Sequence, residues 1–175
     1  MMTPRLRLVV LLGWLATVPV RGQGRPDAAV QKAAMAKLDF LSGRWAGEAT
    51  VTRGPGQTLT IAQSEAIEFK LDGLVLLVEG TGRDASGGMV FNALATIAFD
   101  PGTSGYRIRA YRDGNYVDAP LTLLERGFEW GFSTGPVVVT NRMRLDTDGQ
   151  WIETTDIRMG DGREVRSMEM RLVKR

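Results

Sequence analysis

Three stretches of this chain carry polar side chains where an alternating pattern calls for apolar ones. In TLTIAQSEAIEFK, residues 58–70, Gln63 and Glu65 stand in phase with Ile61 and Ile67. In VVVTNRMRL, 137–145, Asn141 falls between Val139 and Met143. In QWIETTDIRM, 150–159, Glu153 and Thr155 share the phase of Trp151 and Ile157. Alternation with a period of two marks one face of a β-strand. If these faces point inward, two carboxylates, two amides and a hydroxyl meet in an apolar interior. Burying such groups without partners costs roughly 2–7 kcal/mol each, so they call for one another, for water or for a ligand. Their chemistry is either recognition of a polar group or acid–base work by a carboxyl of raised pKa. The competing arrangement flips a strand through a β-bulge, which would turn Ile152 inward instead of Glu153.

The missing residue types narrow the chemistry further. The chain has 175 residues with no Cys and no His. Ser-His-Asp catalysis, His-ligated haem and the common zinc sites are thereby excluded, as is any disulfide. Other clusters are better read as structure. GRDASGG (82–88) lacks the Lys-Ser/Thr and the helix of a phosphate loop. Asp146 and Asp148 in DTDGQ lack the downstream Glu of a calcium loop and suit a hairpin turn. Arg107, Arg109 and Arg112 read as the solvated face of a strand, opposite Ile108 and Ala110.

The elements that must position these residues follow from the turn signals. Nine Gly-rich turns, among them RGPGQ (53–57), DPGTSG (100–105), RDGN (112–115) and STGP (133–136), separate ten candidate strands. The strands span about 45–52, 58–70, 74–81, 89–99, 106–112, 116–124, 128–132, 137–145, 151–159 and 164–174. Short connections make neighbours antiparallel. Apolar phases recur at Leu59, Ile61, Ile67, Phe69 and Leu71, at Met89 through Phe99, and at Phe128, Trp130 and Phe132. A flat sheet of this size would leave two long edges, which closure removes. The expected fold is therefore all-β, an up-and-down antiparallel barrel of about ten strands, with a two-sheet sandwich as the alternative.

Ahead of the strands, Asp27 is a suitable N-cap, and Val30, Ala34, Leu38 and Leu41 recur at helical spacing. This short helix is expected to plug one end of the barrel. Gly43 permits its stop, Trp45 can then lie across the floor, and Gly47 leaves room for a neighbouring strand or ring. The first residues have a different character. Arg5 and Arg7 precede an apolar run from Leu8 to about Val20, with small residues near Gly22, the layout of a secretory signal peptide. The expected organisation is a signal peptide at 1–22, a linker and helix at 23–37, and a barrel domain at 38–175. The whole sequence carries a formal charge of +2; without residues 1–22 it holds 19 basic and 20 acidic residues. That balance gives no support to a nucleic-acid partner. The expected location is periplasmic or secreted, with no stable membrane insertion once the signal is removed.

LDFLSGRWAGEAT, 38–50, resembles the calycin superfamily, in which Gly-x-Trp follows a short helix at the start of an up-and-down barrel. Its fuller pattern, Phe-Leu-x-Gly-x-Trp-x-Gly, is most similar to nitrobindin-like barrels and a related bacterial family of unknown function. ALATIAFDPGTSGYRIRAY, 93–111, has the look of that bacterial family's middle hairpin. The resemblance covers about Leu38 to Lys174. Nitrobindin-like members bind haem through a His on the last strand, and here the comparable place near Ser167 or Met168 has none. Met168, Met170, Tyr106, Tyr111 and Tyr116 are better read as packing and wall residues than as iron ligands. No cofactor and no metal site are expected.

Three functions remain. The leading one is a binding module that holds a small apolar or amphipathic molecule. The candidate lining is Gln63, Glu65, Asn141, Glu153, Trp130 and Trp45, although Trp45 is foremost a core aromatic. A filled barrel with a structural or accessory role comes next. An isomerase or hydrolase using Glu65 or Glu153 with Tyr111 ranks last, and no catalytic residue is assigned.

Overall fold

The computed structural model describes residues 27–175, so the expected signal peptide lies outside the described residues. A helical segment leads into ten strands. Helix α1 spans Ala28–Met35 and a 3₁₀ turn, η1, spans Ala36–Leu41. The strands are β1 (Gly43–Gly54), β2 (Gln57–Lys70), β3 (Val75–Arg83), β4 (Met89–Asp100) and β5 (Gly105–Arg112), then β6 (Asn115–Leu124), β7 (Gly127–Thr134), β8 (Val137–Leu145), β9 (Trp151–Arg158) and β10 (Glu164–Lys174). Each pairs antiparallel with its neighbours in sequence, and β1 pairs with β10 to close the barrel. No sandwich forms, because closure pairs the outer strands with each other. Among the described residues no helix is long and apolar enough to cross a membrane.

The helix begins where Asp27 accepts a hydrogen bond from the Ala29 N–H (2.9 Å). Its buried face differs from the expected one. Val30 is 52% exposed, while Met35, Leu38 and Leu41 are fully buried. The cause is the change of period. From Ala36 the chain winds as a 3₁₀ helix, so a spacing of three, not 3.6, keeps side chains on one face. The segment thus closes the barrel end where β1 starts. Tyr106 Oη donates to the Ala34 carbonyl (2.7 Å), and the Trp45 indole N–H donates to the Leu41 carbonyl (2.7 Å). Trp45 is buried edge-on to Trp151, with ring centroids 5.5 Å apart. Gly47 faces inward beside them. A side chain there would run into the backbone carbonyl of Arg171, so the room left at Gly47 is taken by β10 rather than by a ring.

The inward faces form the core, with Ile61, Ile67, Leu76, Ile97, Ile108, Met143 and Leu172 among its buried members. Two residues leave the phase expected of them. Leu71 sits in the β2–β3 turn at φ 51° and is 72% exposed. Met89 is exposed at the end of β4, where the β3–β4 register shifts. The acidic turns hold themselves together, since Asp84 accepts the amides of Ser86 and Gly88, and Asp146 those of Asp148 and Gln150.

Candidate ligand cavity

Five of the six candidate residues line one cavity of about 450 Å³, and the sixth lies just outside it. Gln63, Glu65, Asn141, Glu153 and Trp130 face the cavity, whereas Trp45 packs beneath it against Trp151 and the helical plug. The wall is largely apolar, with Ile61, Ile97, Ile108, Phe128 and Val139 among its members. The plugged end is floored by Leu41. The other end lies among the hairpin tips, where the outward Tyr111 and Tyr116 rings lie 6.0 Å apart. Both Tyr are exposed where they line this rim, and Tyr111 stands one residue out of phase with the inward Ile108, Ala110 and Arg112.

Glu65 and Gln63 lie on β2, opposite Gly80 and Gly82 of β3. A β-carbon on Gly80 would come within 2.8 and 2.9 Å of the two Glu65 carboxylate oxygens. One on Gly82 would lie 2.7 Å from the Gln63 amide oxygen. The two glycines therefore form a recess over which both polar side chains lean. Gln63 Nε2 donates to Glu65 Oε1 (2.7 Å). On β9, Trp151 Nε1 donates to Glu153 Oε2 (2.9 Å), and Thr155 Oγ1 donates to Asn141 Oδ1 of β8 (2.8 Å). Ser167 extends this polar strip from β10, at a register shift that leaves it between Arg166 and Met168, and donates to the Thr155 carbonyl (3.1 Å).

Both carboxyls are displaced toward the neutral form. Burial pushes Glu65 up to about 8; the Gln63 hydrogen bond opposes this and the charge of Glu153 adds to it. Burial likewise pushes Glu153 up to about 7, against the Trp151 hydrogen bond. Glu65 and Gln63 are buried, whereas Glu153 is half-buried, the surface it retains being that of the cavity. At neutral pH, Glu65 is thus chiefly a protonated acid, able to donate as well as accept.

Arg112 corrects an expectation. It shares the inward phase of Ile108 and Ala110, lines the cavity rim with its side chain still 53% exposed, and stacks over the Phe91 ring at 4.7 Å. Only Arg107 and Arg109 form the solvated face, both hydrogen-bonded to Asp118. The parity of positions 107, 109 and 112 already carried this. Gly80 and Gly82 carry a sequence signal of the same kind, since two in-phase glycines inside the strand LVLLVEGTGR mark close approach of another group.

Haem ligation by an imidazole does not fit this lining, because the sequence has no His and the last strand lines the cavity with Ser167, Met168 and Met170 beside two interior carboxyls. No protein-family model matches the chain, and no curated protein matches it. Among solved structures, the crystal structure of Rv2717c from M. tuberculosis superposes with a TM-score of 0.63 at 13% identity, covering 81% of this chain and 97% of that one. The structure of lobster apocrustacyanin A1 aligns with a TM-score of 0.37 at 14% identity, over 85% of this chain and 68% of that one. The likeness to Rv2717c is one of fold, and the fold here is a closed up-and-down antiparallel barrel of ten strands with a short helix before the first.

Proposed function

We propose that this protein is an exported binding module that holds one small amphipathic molecule inside its barrel. The cavity carries the reading: about 450 Å³ lies within the range of small-molecule sites, and a filled accessory barrel would have no such space. Its apolar wall suits the body of the ligand, and the strip from Gln63 and Glu65 to Asn141, Glu153 and Thr155 suits one polar end. The run of apolar residues after Arg5 and Arg7 supports export. We read the kinship as nitrobindin-like in architecture, with a polar strip standing where the family's haem ligand would be.

Native mass spectrometry of protein taken from its natural compartment tests the proposal. One discrete adduct per chain is expected, displaced by the neutral apolar dye N-phenyl-1-naphthylamine. A bare chain that also fails to take up the dye would leave the filled accessory barrel as the better reading.

A further inference from the structure

We propose that the polar end of the ligand is a protonated amine, received by Glu65 and Glu153 together. This rests on the cavity being a ligand site and adds the chemical class of its occupant. Each carboxylate spends one oxygen on a neutral donor: Glu65 Oε1 on Gln63, and Glu153 Oε2 on Trp151. The second oxygens, Glu65 Oε2 and Glu153 Oε1, have no hydrogen-bond partner among the described residues. Neither is sealed inside the protein, because every fully buried side-chain nitrogen or oxygen among the described residues is hydrogen-bonded. Both residues line the cavity, so these oxygens are open to whatever occupies it. The Gly80 recess keeps the Glu65 carboxylate free of the neighbouring strand.

The surrounding charges select for a cation. Around Glu65, β1 contributes Trp45 and Gly47, β3 contributes Val78, Gly80 and Gly82, and β4 contributes Phe91, none of them ionisable. Around Glu153, β8 contributes Asn141 and Met143, and β10 contributes Met170. Lys174 lies 5.4 Å over the Trp45 ring and is hydrogen-bonded to neither carboxylate. Arg112, the one cation of the cavity lining among the described residues, is held at the rim by Phe91 and by Asp113, which its Nε reaches at 2.9 Å. Two acids therefore share an interior with no internal counter-ion among the described residues, so an ammonium group bearing an apolar tail complements both the charge and the wall. Its arrival favours the ionised carboxyls, so binding expels protons that the empty cavity retains.

The test uses the barrel domain with its helix, and n-decylamine, n-decanol and n-decanoate as matched probes. Each competes with N-phenyl-1-naphthylamine between about pH 6 and about pH 8. At neutral pH the amine is expected to bind about tenfold more tightly than the alcohol, and the carboxylate most weakly. Amine affinity should rise with pH, approaching tenfold per pH unit where one proton is released per molecule bound. Glu65→Gln and Glu153→Gln, which keep shape and remove charge, should each abolish the preference for amine over alcohol while the dye still binds. If the dye enters but amine and alcohol bind alike, or if the alcohol shows the same pH dependence, the amine assignment is overturned and the cavity reading stands. If neither the dye nor any of the three probes enters, both are overturned.

Discussion

The Glu65 carboxylate leans over Gly80, so close that a β-carbon at that glycine would lie 2.8 Å from Oε2 and 2.9 Å from Oε1. The obstacles are side-chain ends, the Glu65 carboxylate, which can swing aside, and the Phe91 ring edge at 3.0 Å, which must give by a few tenths of an ångström. Gly80→Ala is therefore expected to leave the barrel folded at a cost of about 1 kcal/mol, while moving the carboxylate and weakening capture of the ligand's polar end. At Gly47 the obstacle is the Arg171 backbone carbonyl, which cannot move without opening the β1–β10 seam. Gly47→Ala should cost about 3 kcal/mol or prevent folding. Urea unfolding of the two variants makes the comparison, and equal costs would argue against the recess.

Stability should fall as pH rises. Glu65 and Glu153 have folded pKa values raised from 4.5 to about 8 and about 7, so the unfolded chain loses these protons first. Their contribution is fully present below about pH 4.5 and is lost progressively as pH rises through about 7 and 8. At about 1.4 kcal/mol per pKa unit, the loss is about 3 kcal/mol for Glu153 and about 5 kcal/mol for Glu65. Glu65→Gln should flatten the profile and raise stability at pH 8. Glu68, an exposed residue of the same strand paired with Lys70, is the control. Glu68→Gln should change neither stability nor dye uptake by more than about 0.5 kcal/mol. Thermal unfolding across this pH range reads both, and identical profiles for the two variants would place Glu65 in solvent.

The helical plug is tied to the wall by Tyr106 Oη donating to the Ala34 carbonyl at 2.7 Å. Tyr106→Phe removes the donor and keeps the ring, which packs edge-on to Phe99 at 5.3 Å. A loss of about 1 kcal/mol is expected, with faster amide exchange across Ala28–Leu41 and little change in the strands. Uniform acceleration throughout the barrel would mean that the plug and wall open as one unit.

Amino-terminal sequencing of the exported protein should begin close to Gln23, as the charged and apolar layout of the first 22 residues implies. A chain still beginning at Met1 would count against export by cleavage.

Strand number, turn positions and the closed antiparallel meander were legible in the sequence, because strand alternation and turn chemistry are local properties. The shared phase of Gln63 and Glu65 with Ile61 and Ile67, of Asn141 with Val139 and Met143, and of Glu153 with Trp151 was legible for the same reason, but that β8 and β9 turn this phase inward was decided by the closed barrel. Arg112 falls in the inward phase by the same parity, against its expected place on the solvated face. Other features belonged to the tertiary structure alone. The winding of 36–41 as a 3₁₀ helix, which buries Met35 and turns Val30 outward, depends on how the plug meets the barrel end. The pairing of Glu65 with Gly80 joins residues whose separation along the chain is set by the β2–β3 register. Whether the barrel is hollow depends on its closed circumference and on how far side chains from all ten strands reach inward. No single strand encodes that sum, so the sequence determined which side chains share a phase, while only the closed structure decided that this phase lines a cavity of about 450 Å³.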